Sequence, residues 1–192
     1  MSRLCKLAEK YGVDKCPQIN HYYTESYNNL LSLKNPRKFL EIGIGNHPLM
    51  SPIVGRDYRY GASLRMWREY FPDCHIYGCD ILDNVIFQDD RITTQLADQS
   101  CIASLEEMMY NFGKMDFILD DGSHIESHQK ISFLTLWKYL NVGGYYIIED
   151  IRKDRLNEMS LMYSIFTDCK IRHIHQHSND GQGFIVFEKS SH

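Results

Sequence analysis

Short apolar runs rich in Ile, Val, Phe and Tyr alternate along this chain with longer amphipathic stretches. This alternation limits the fold most, because it predicts the strands of a parallel sheet separated by covering helices. Apolar residues at helical spacing predict helices over Gln18–Ser32, Ser63–Phe71, Ile102–Asn111, His124–Tyr139 and Asn157–Phe166. The predicted strands are Lys38–Ile44, His75–Ile81, Ile92–Leu96, Asp116–Asp120, Tyr145–Glu149, Lys170–Gln176 and Gly183–Glu188.

The last two predicted strands are joined by Ser178–Gln182, a turn-rich segment that is too short for a crossover helix. They should therefore pair antiparallel, as a hairpin. The fold class is α/β: a Rossmann-like, doubly wound, seven-stranded sheet, mostly parallel, with a C-terminal antiparallel hairpin. Such an ending is typical of class I methyltransferases and differs from the all-parallel sheet of dehydrogenases.

No Pro/Gly/Ser-rich linker divides the 192 residues, so we expect a single domain over 1–192, with 1–37 as a helical cover and 46–60 as an inserted loop. A net charge of −4 without a Lys/Arg run argues against a nucleic-acid partner. No apolar run approaches the ~20 residues of a spanning helix, so we expect no integral membrane segment. The six cysteines form no C-x-x-C pair and no secretory signal opens the chain, so we expect reduced thiols and a cytoplasmic location.

The first predicted strand ends in residues that suit a cofactor, namely Glu41, Gly43 and Gly45. Glycine lets the backbone turn tightly against a ligand, and the carboxyl ends of parallel strands are where such sheets bind one. Glu41 would hold the amino group of the cofactor. A strand that simply ends in a glycine turn explains the motif equally well.

Other strand and helix ends add polar side chains to this predicted cofactor site. Asp80 ends the second strand, where a carboxylate accepts hydrogen bonds from ribose hydroxyls, and a turn or cap aspartate is the alternative. Asp98 and Gln99 follow the third strand and would reach the adenine edge, with helix capping by Asp98 or Ser100 as the alternative. Ser63, at the head of a predicted helix, would contact the carboxylate of the cofactor.

A dinucleotide site fits this half of the chain less well. Asn46 and Pro48 stand where the dinucleotide fingerprint requires a third glycine on a starting helix, and Asp80 lies beyond the ~20 residues usual for its acidic partner. The stretch 46–60 contains proline and glycine and predicts an irregular surface loop, a candidate lid over the site.

Carboxylates end the fourth and fifth predicted strands. Asp121 follows one of them, and Glu149 and Asp150 end the other, so all of them should meet at the ligand-binding edge of the sheet. Like charges this close repel unless a cation neutralises them, so the cluster predicts a metal. Oxygen ligands indicate a hard ion, Mg²⁺, Mn²⁺ or Ca²⁺, rather than zinc.

His124 lies a short turn after Asp121, so its imidazole should face the same cavity. We interpret His124 as a general base that acts with Asp121 and its metal to activate a hydroxyl group. A helix-capping turn at Asp121, or an acidic lead into a basic loop at Glu149, would explain either motif alone. The two acidic strand ends together favour a functional site over two separate structural motifs.

Several other polar residues receive roles outside this site. Asp120 should point to the opposite side of its strand from Asp121, and His128 should be solvated or packed. Near the N-terminus, Asp14, Lys15 and the aromatic run His21–Tyr27 indicate either a helix that covers the cofactor or, preferably, core packing of the tyrosines. Three histidines near the C-terminal end alternate along one strand and should lie on the surface, a weak metal site being the alternative: His173, His175 and His177.

These motifs resemble the metal-dependent sugar O-methyltransferases of macrolide tailoring and their relatives, the rhamnosyl O-methyltransferases and proteins labelled cephalosporin hydroxylase. The matching segments cover most of the chain and are Leu40–Gly43, Gly61–Pro72, Ile76–Asp80, Asp121–His124 and Glu149–Asp150. The resemblance implies an S-adenosyl-L-methionine site, Mg²⁺ held by Asp121, Glu149 and Asp150, and His124 as the base. Catechol O-methyltransferase is similar in that it has an acidic residue and a base at the same offset after its fourth strand.

The sequence thus predicts an enzyme that moves the methyl group of S-adenosyl-L-methionine to a hydroxyl of a glycan or glycosylated metabolite with neighbouring hydroxyls. The alternatives are a metal- or nicotinamide-dependent oxidoreductase on the same type of fold, and a non-catalytic S-adenosyl-L-methionine-binding module. The macrolide enzymes carry an additional N-terminal domain. The acceptor, the oligomeric state, a homo-oligomer included, and membership of the chain in a larger protein are left open.

Overall fold

The computed structural model describes residues 1–55, 57–163, 166–176 and 181–191. The strands are β1 (Lys38–Ile42), β2 (His75–Asp80), β3 (Gln88–Asp89), β4 (Ile92–Leu96), β5 (Met115–Asp120), β6 (Leu140–Arg152), β7 (Cys169–Gln176) and β8 (Gln182–Lys189). The helices are α1 (Arg3–Tyr11), α2 (Tyr23–Leu31), α3 (His47–Val54), α4 (Ala62–Tyr70), α5 (Ile102–Phe112), α6 (Glu126–Leu136) and α7 (Leu156–Tyr163).

The strands form one 8-stranded sheet in the order β3-β4-β2-β1-β5-β6-β8-β7. The central strands β4, β2, β1, β5 and β6 are parallel, whereas β3 pairs antiparallel with β4, and β8 pairs antiparallel with both β6 and β7. The predicted α/β sheet with a C-terminal hairpin is confirmed. The extra strand is β3, which is too short to give an apolar run.

The winding of the sheet reverses at β1, which has β2 on one side and β5 on the other. In open parallel sheets the crevice at such a reversal, outside the carboxyl ends of the strands, is where ligands bind. The fold therefore places a ligand site beside the ends of β1 and β5.

Two apolar cores cover the two faces of the sheet. Phe39 on β1 packs in one core with side chains of α1, α2 and α4, and Leu40 packs in the other with side chains of α5 and α6. Successive side chains of a strand point to opposite faces, so a strand buried on both faces reads as a continuous apolar run. This explains why the central strands were recognisable in the sequence.

The helix bounds differ from the prediction mainly before β1. The structure contains α1, which was not predicted although Ser2 accepts a hydrogen bond from the Cys5 N–H at one end and Gly12 adopts φ +67° at the other. The predicted helix from Gln18 was placed too early, since α2 begins at Tyr23. The intervening turn folds back, and its Lys15 carbonyl accepts hydrogen bonds from the first N–H groups of α2.

The prediction of an irregular loop over 46–60 is wrong for its first half, which forms α3. Asn46 caps this helix by accepting a hydrogen bond from the Leu49 N–H at 2.9 Å, and Pro48 lies in the first turn, where a helix needs no N–H. The predicted helix from His124 begins instead at Glu126, so His124 stands in the turn before α6. The turn between β7 and β8, His177 included, lies mostly outside the described residues.

Among the residues that the structure describes, none of the helices has the length and apolar character that crossing a membrane requires.

Candidate active site

A cavity of about 560 Å³ opens at the carboxyl ends of the central strands. This volume lies within the range of small-molecule and cofactor sites. The predicted site residues that line it are Gly43, Gly45, Ser63, Asp80, Asp98, Gln99, Asp121, His124 and Asp150. Glu41 and Glu149 are buried behind its wall.

Gly43 is the point at which the ends of β1 and β5 touch. Its backbone has φ +97°, and a Cβ at this position would lie 2.1 Å from the carbonyl oxygen of Asp121. Gly45 has φ +76°, and a Cβ there would lie 2.6 Å from the hydroxyl of Tyr58. Both glycines are therefore required by backbone shape and close approach, and together they bring β1 against the cavity.

The Asp80 carboxylate is fixed at the end of β2 by backbone donors. Its Oδ2 accepts from the Ile44 N–H at 2.9 Å, and its Oδ1 accepts from the Leu82 N–H at 3.0 Å. Carboxylate oxygens accept more than one hydrogen bond, so these contacts orient Asp80 and leave it able to accept from a ligand in the cavity.

Asp98 and Gln99 are both engaged with the protein. Asp98 Oδ1 accepts from the N–H and the hydroxyl of Ser100 in the turn before α5. The alternative of helix capping is wrong, because Cys101 is the N-cap of α5 and no side chain caps this helix. Gln99 is buried and bridges two strand ends: its amide donates to Asp120, and its oxygen accepts from the Ser123 N–H at 3.0 Å. Gln99 thereby supports the loop that presents Asp121 and His124.

Glu41 and Ser63 lie together, as expected if both serve one part of the cofactor site. The Ser63 hydroxyl donates to Glu41 Oε2 at 2.9 Å. The other oxygen, Oε1, is buried and has no hydrogen-bond partner among the described residues. Burial raises the pKa of Glu41 to about 8, although the nearby ammonium of Lys15 opposes this shift.

Lys15 occupies the centre of the carboxylate cluster. Its Nζ donates to Asp121 Oδ2 at 2.6 Å and to Glu149 Oε2, and it lies 3.9 Å from Glu41 Oε1. Its side chain is 2% exposed. Burial opposes its charge, but Asp121 and Glu149 outweigh this effect and raise the pKa of Lys15 well above its usual value, so the buried group is an ammonium ion.

Two tyrosines of α2 complete the inner wall of the cluster. The hydroxyl of Tyr23 donates to Asp150 Oδ1 at 2.7 Å, and that of Tyr27 donates to Glu149 Oε1. Residues four apart lie on one face of a helix, so a single face of α2 reaches both carboxylates. The tyrosines pack in the core, as preferred from the sequence, and also have this polar role.

Three side chains at the cavity could hold a metal ion. One ligand atom from each of Asp121, His124 and Asp150 lies within 4.8 Å of the others. His124 and Asp150 have positive φ values of 58° and 54°, a backbone region that is uncommon for residues other than glycine but that histidine and aspartate adopt more often than most. The His124 Nε2 lies 3.6 Å from Asp150 Oδ2, and the His124 side chain is 38% exposed.

The predicted metal set is thus brought together only in part. Asp121 and Asp150 face the cavity, whereas both oxygens of Glu149 contact donors from the N-terminal region, Lys15 and Tyr27. Two carboxylates with an imidazole suit a divalent cation, and a hard ion such as Mg²⁺ fits the oxygen ligands. Lys15 was not recognised as a site residue from the sequence, in which no spacing links it to the strand ends.

The residues excluded from the site behave mostly as expected. Asp120 is buried on the other side of β5, where it accepts from the Ser132 hydroxyl. His128 lies 3.0 Å from the Ser123 hydroxyl through its Nδ1, and it also lines the cavity. The expectation of a surface position is wrong for His175, which is buried because α2 covers its strand face and Ser26 contacts its ring at 3.0 Å.

The chain is similar in sequence to sugar O-methyltransferases. No protein-family model matches the chain. The 8-demethyl-8-alpha-L-rhamnosyl tetracenomycin-C 2'-O-methyltransferase of Streptomyces olivaceus is 38% identical over 151 residues, which cover 78% of this chain and 38% of the relative. The demethylmacrocin O-methyltransferase of Streptomyces fradiae is 37% identical over 150 residues, which cover 77% of this chain and 36% of the relative.

A solved structure of a methyltransferase is similar to this chain over almost its whole length. The MycE methyltransferase from the mycinamycin biosynthetic pathway, in complex with Mg, SAH and mycinamycin VI, matches with a TM-score of 0.77 and 27% identity, over 98% of this chain and 54% of that one. The chain therefore spans only part of the length of these relatives. Over that part, the chain is a homologue of the sugar O-methyltransferases of the macrolide and tetracenomycin type.

Proposed function

We propose that this chain is the cofactor- and metal-binding domain of an O-methyltransferase that moves the methyl group of S-adenosyl-L-methionine to a hydroxyl of a sugar. The observation that carries the proposal is the shared cavity, in which the strand-end residues of a methyltransferase fold meet Asp121, His124 and Asp150. The relatives are named for transfer to sugars, and the related MycE structure contains Mg and SAH.

The cofactor would lie along the ends of β1, β2 and β4. Asp80 is oriented to accept from ribose hydroxyls, Gly43 and Gly45 give the backbone its close approach, and Glu41 with Ser63 would receive the amino-acid end. Gln99 and Asp98 would border the adenine. When bound, this cofactor supplies an electrophilic methyl group, and a divalent metal supplies a Lewis acid for the acceptor hydroxyl.

The residues of the chain would then prepare the acceptor for displacement. Asp121 and Asp150 would hold the metal at the cavity wall, with Glu149 joining them as the ligand that the sequence predicts. The exposed imidazole of His124 would accept the proton of the acceptor hydroxyl through a ring nitrogen, because it stands beside these carboxylates and faces the cavity. Fixing both reactants in one cavity would supply much of the acceleration.

The acceptor would be a glycan or glycosylated small molecule whose neighbouring hydroxyls both reach the metal. We also propose a cytoplasmic protein, folded as one domain with its first 37 residues as a cover over the sheet, in which a homo-oligomer would be compatible with the exposed surfaces. The names of the relatives support the class of acceptor, and the sequence supports the single domain and the location.

Calorimetry with S-adenosylhomocysteine and with NADH tests the cofactor assignment. We expect S-adenosylhomocysteine to bind and NADH not to bind. Methyl transfer to rhamnosides, followed with and without a chelator, then tests the reaction. Binding of NADH alone would overturn the proposal in favour of an oxidoreductase.

Replacement of His124 by Ala tests the base. We expect the rate of methyl transfer to fall by roughly 10²–10⁴-fold while S-adenosylhomocysteine affinity is retained, because general bases contribute about this much. His75→Ala is the matched control, since His75 lies on β2, contacts Thr93 and does not line the cavity. Undiminished activity of the His124 variant would remove this residue as the base.

A further inference from the structure

The position of Lys15 raises a question about the metal site, because its ammonium contacts two carboxylates that are predicted to bind the metal. The Nζ atom donates to Asp121 Oδ2 and Glu149 Oε2, and Tyr27 donates to the other oxygen of Glu149. A buried ammonium and a divalent ion on the same carboxylates would repel each other strongly, because little water is present to screen them. One cation must yield to the other.

We propose that Lys15 is a built-in competitor of the divalent metal: its ammonium holds Glu149 and Asp121 in the metal-free protein and leaves Glu149 when the metal binds. This inference rests on the metal site of the proposed function. In the metal-free protein the ammonium prevents the cost of buried, unpaired carboxylates, which is large. In the loaded protein the metal takes over that task, and Glu149 joins Asp121 and Asp150.

Glu41 offers the displaced ammonium a second partner. Its Oε1 is buried, has no hydrogen-bond partner among the described residues, and lies 3.9 Å from Lys15 Nζ. A displacement of about 1 Å brings this pair to hydrogen-bonding distance. Lys15 would then move between a carboxylate of the metal site and the carboxylate that is proposed to receive the amino-acid end of the cofactor.

The test is the binding of Mn²⁺ alone to the whole chain, by calorimetry, and thermal unfolding with and without Mn²⁺. We expect Lys15→Met to bind Mn²⁺ at least about tenfold more tightly than the wild type, because the competing charge is gone. Without Mn²⁺ its Tm should fall, and Mn²⁺ should raise that Tm by more than it raises the wild-type Tm. Lys10→Met is the matched control, since Lys10 pairs with Glu69 on the surface, with 54% of its side chain exposed.

Equal or weaker Mn²⁺ binding by Lys15→Met would overturn the inference, and if the wild type binds Mn²⁺ normally the proposed function is untouched. Absence of Mn²⁺ binding in the wild type and in the variant would overturn both. If Lys15→Met folds only in the presence of Mn²⁺, the inference is supported, because the ion has replaced the ammonium. If both Lys15→Met and Lys15→Gln fail to fold with Mn²⁺ as without it, the ion does not replace the ammonium and the inference is wrong.

Discussion

Gly43 has the strictest requirement of any single residue at the site. Gly43→Ala places a Cβ 2.1 Å from the Asp121 carbonyl oxygen, on a backbone with φ +97°. Because neither backbone can give way without separating β1 from β5, we expect the free energy of unfolding to fall by about 3 kcal/mol or more. S-adenosylhomocysteine should also bind more weakly. Urea denaturation and calorimetry measure the two effects.

Gly12→Ala provides the control for this prediction. Gly12 has φ +67°, but a Cβ there would meet no atom within 4 Å. Its replacement should cost only the strain of the left-handed backbone, about 1 kcal/mol. Equal losses from the two substitutions would show that the crowding at Gly43 is unimportant.

The cysteines provide a second prediction for single residues. Cys169 is only partly buried, yet burial, together with the charge of Asp168, raises its pKa to about 12. Since the thiolate is the reactive form, iodoacetamide at pH 8 should label Cys169 about 10²-fold more slowly in the folded protein than in urea. The exposed Cys101 should change little between the two states. Peptide mass spectrometry measures both, and fast labelling of folded Cys169 would contradict the prediction.

The strand-end residues of the site could be predicted from the sequence, whereas Lys15 could not. Asp80, Asp121 and Asp150 follow apolar runs, and in a parallel sheet that position alone brings them to one edge. Lys15 reaches Asp121 and Glu149 across 106 and 134 residues of sequence, through a turn that no local pattern reveals. A buried lysine among carboxylates depends on tertiary contacts, so a single sequence does not indicate it.

Among the elements, α3 is unusual because none of its residues is buried. Its apolar side chains Leu49, Met50 and Ile53 line the cavity instead of a core. A helix with so little packing should open readily. We expect hydrogen exchange in α3 to be fast in the free chain and to slow at least about threefold when S-adenosylhomocysteine fills the cavity.

The control for this prediction is α5, which packs against the sheet and contributes nothing to the cavity lining. Its exchange should be slow with or without ligand. An unchanged exchange rate in α3 after ligand binding would show that this helix does not close over the bound cofactor.

Element prediction succeeded for strands buried on both faces and was weaker for helices that precede the sheet. Strands such as β1 and β5 are buried along almost their whole length and consist mainly of apolar residues, so their positions were clear. In contrast, α1 carries many charged residues and was missed, although Ser2 and Gly12 at its ends were readable caps. The helix α3 was taken for a loop because two prolines suggested an irregular backbone. In fact Pro48 lies in its first turn, and Pro52 lies within it.

For the whole molecule, ligand binding should raise thermal stability. S-adenosylhomocysteine at about 100 times its Kd adds about 2.7 kcal/mol to the free energy of unfolding. For a chain of 192 residues this corresponds to a Tm increase of about 5–10 °C. Thermal unfolding in the presence of S-adenosylhomocysteine, and separately of NADH, measures the change in Tm. NADH at the same concentration should leave the Tm unchanged, and the opposite pattern would contradict the cofactor assignment.

The sheet was predicted correctly as mostly parallel with a C-terminal antiparallel hairpin. The alternation of strand and helix and the short final connection determine these two features. The order of strands and the reversal at β1 were needed to locate the cavity. That reversal also explains why site residues scattered from Gly43 to Asp150 meet at one edge.

The positive φ values of His124 and Asp150 have an evolutionary consequence. Glycine adopts such a backbone at lower cost than histidine or aspartate, so selection for stability alone would favour glycine at both positions. A duplicated copy freed from its chemical task should therefore drift toward glycine at 124 and 150 while its core residues persist. Lineages that retain His124 and Asp150 would be those in which the ancestral reaction is still under selection.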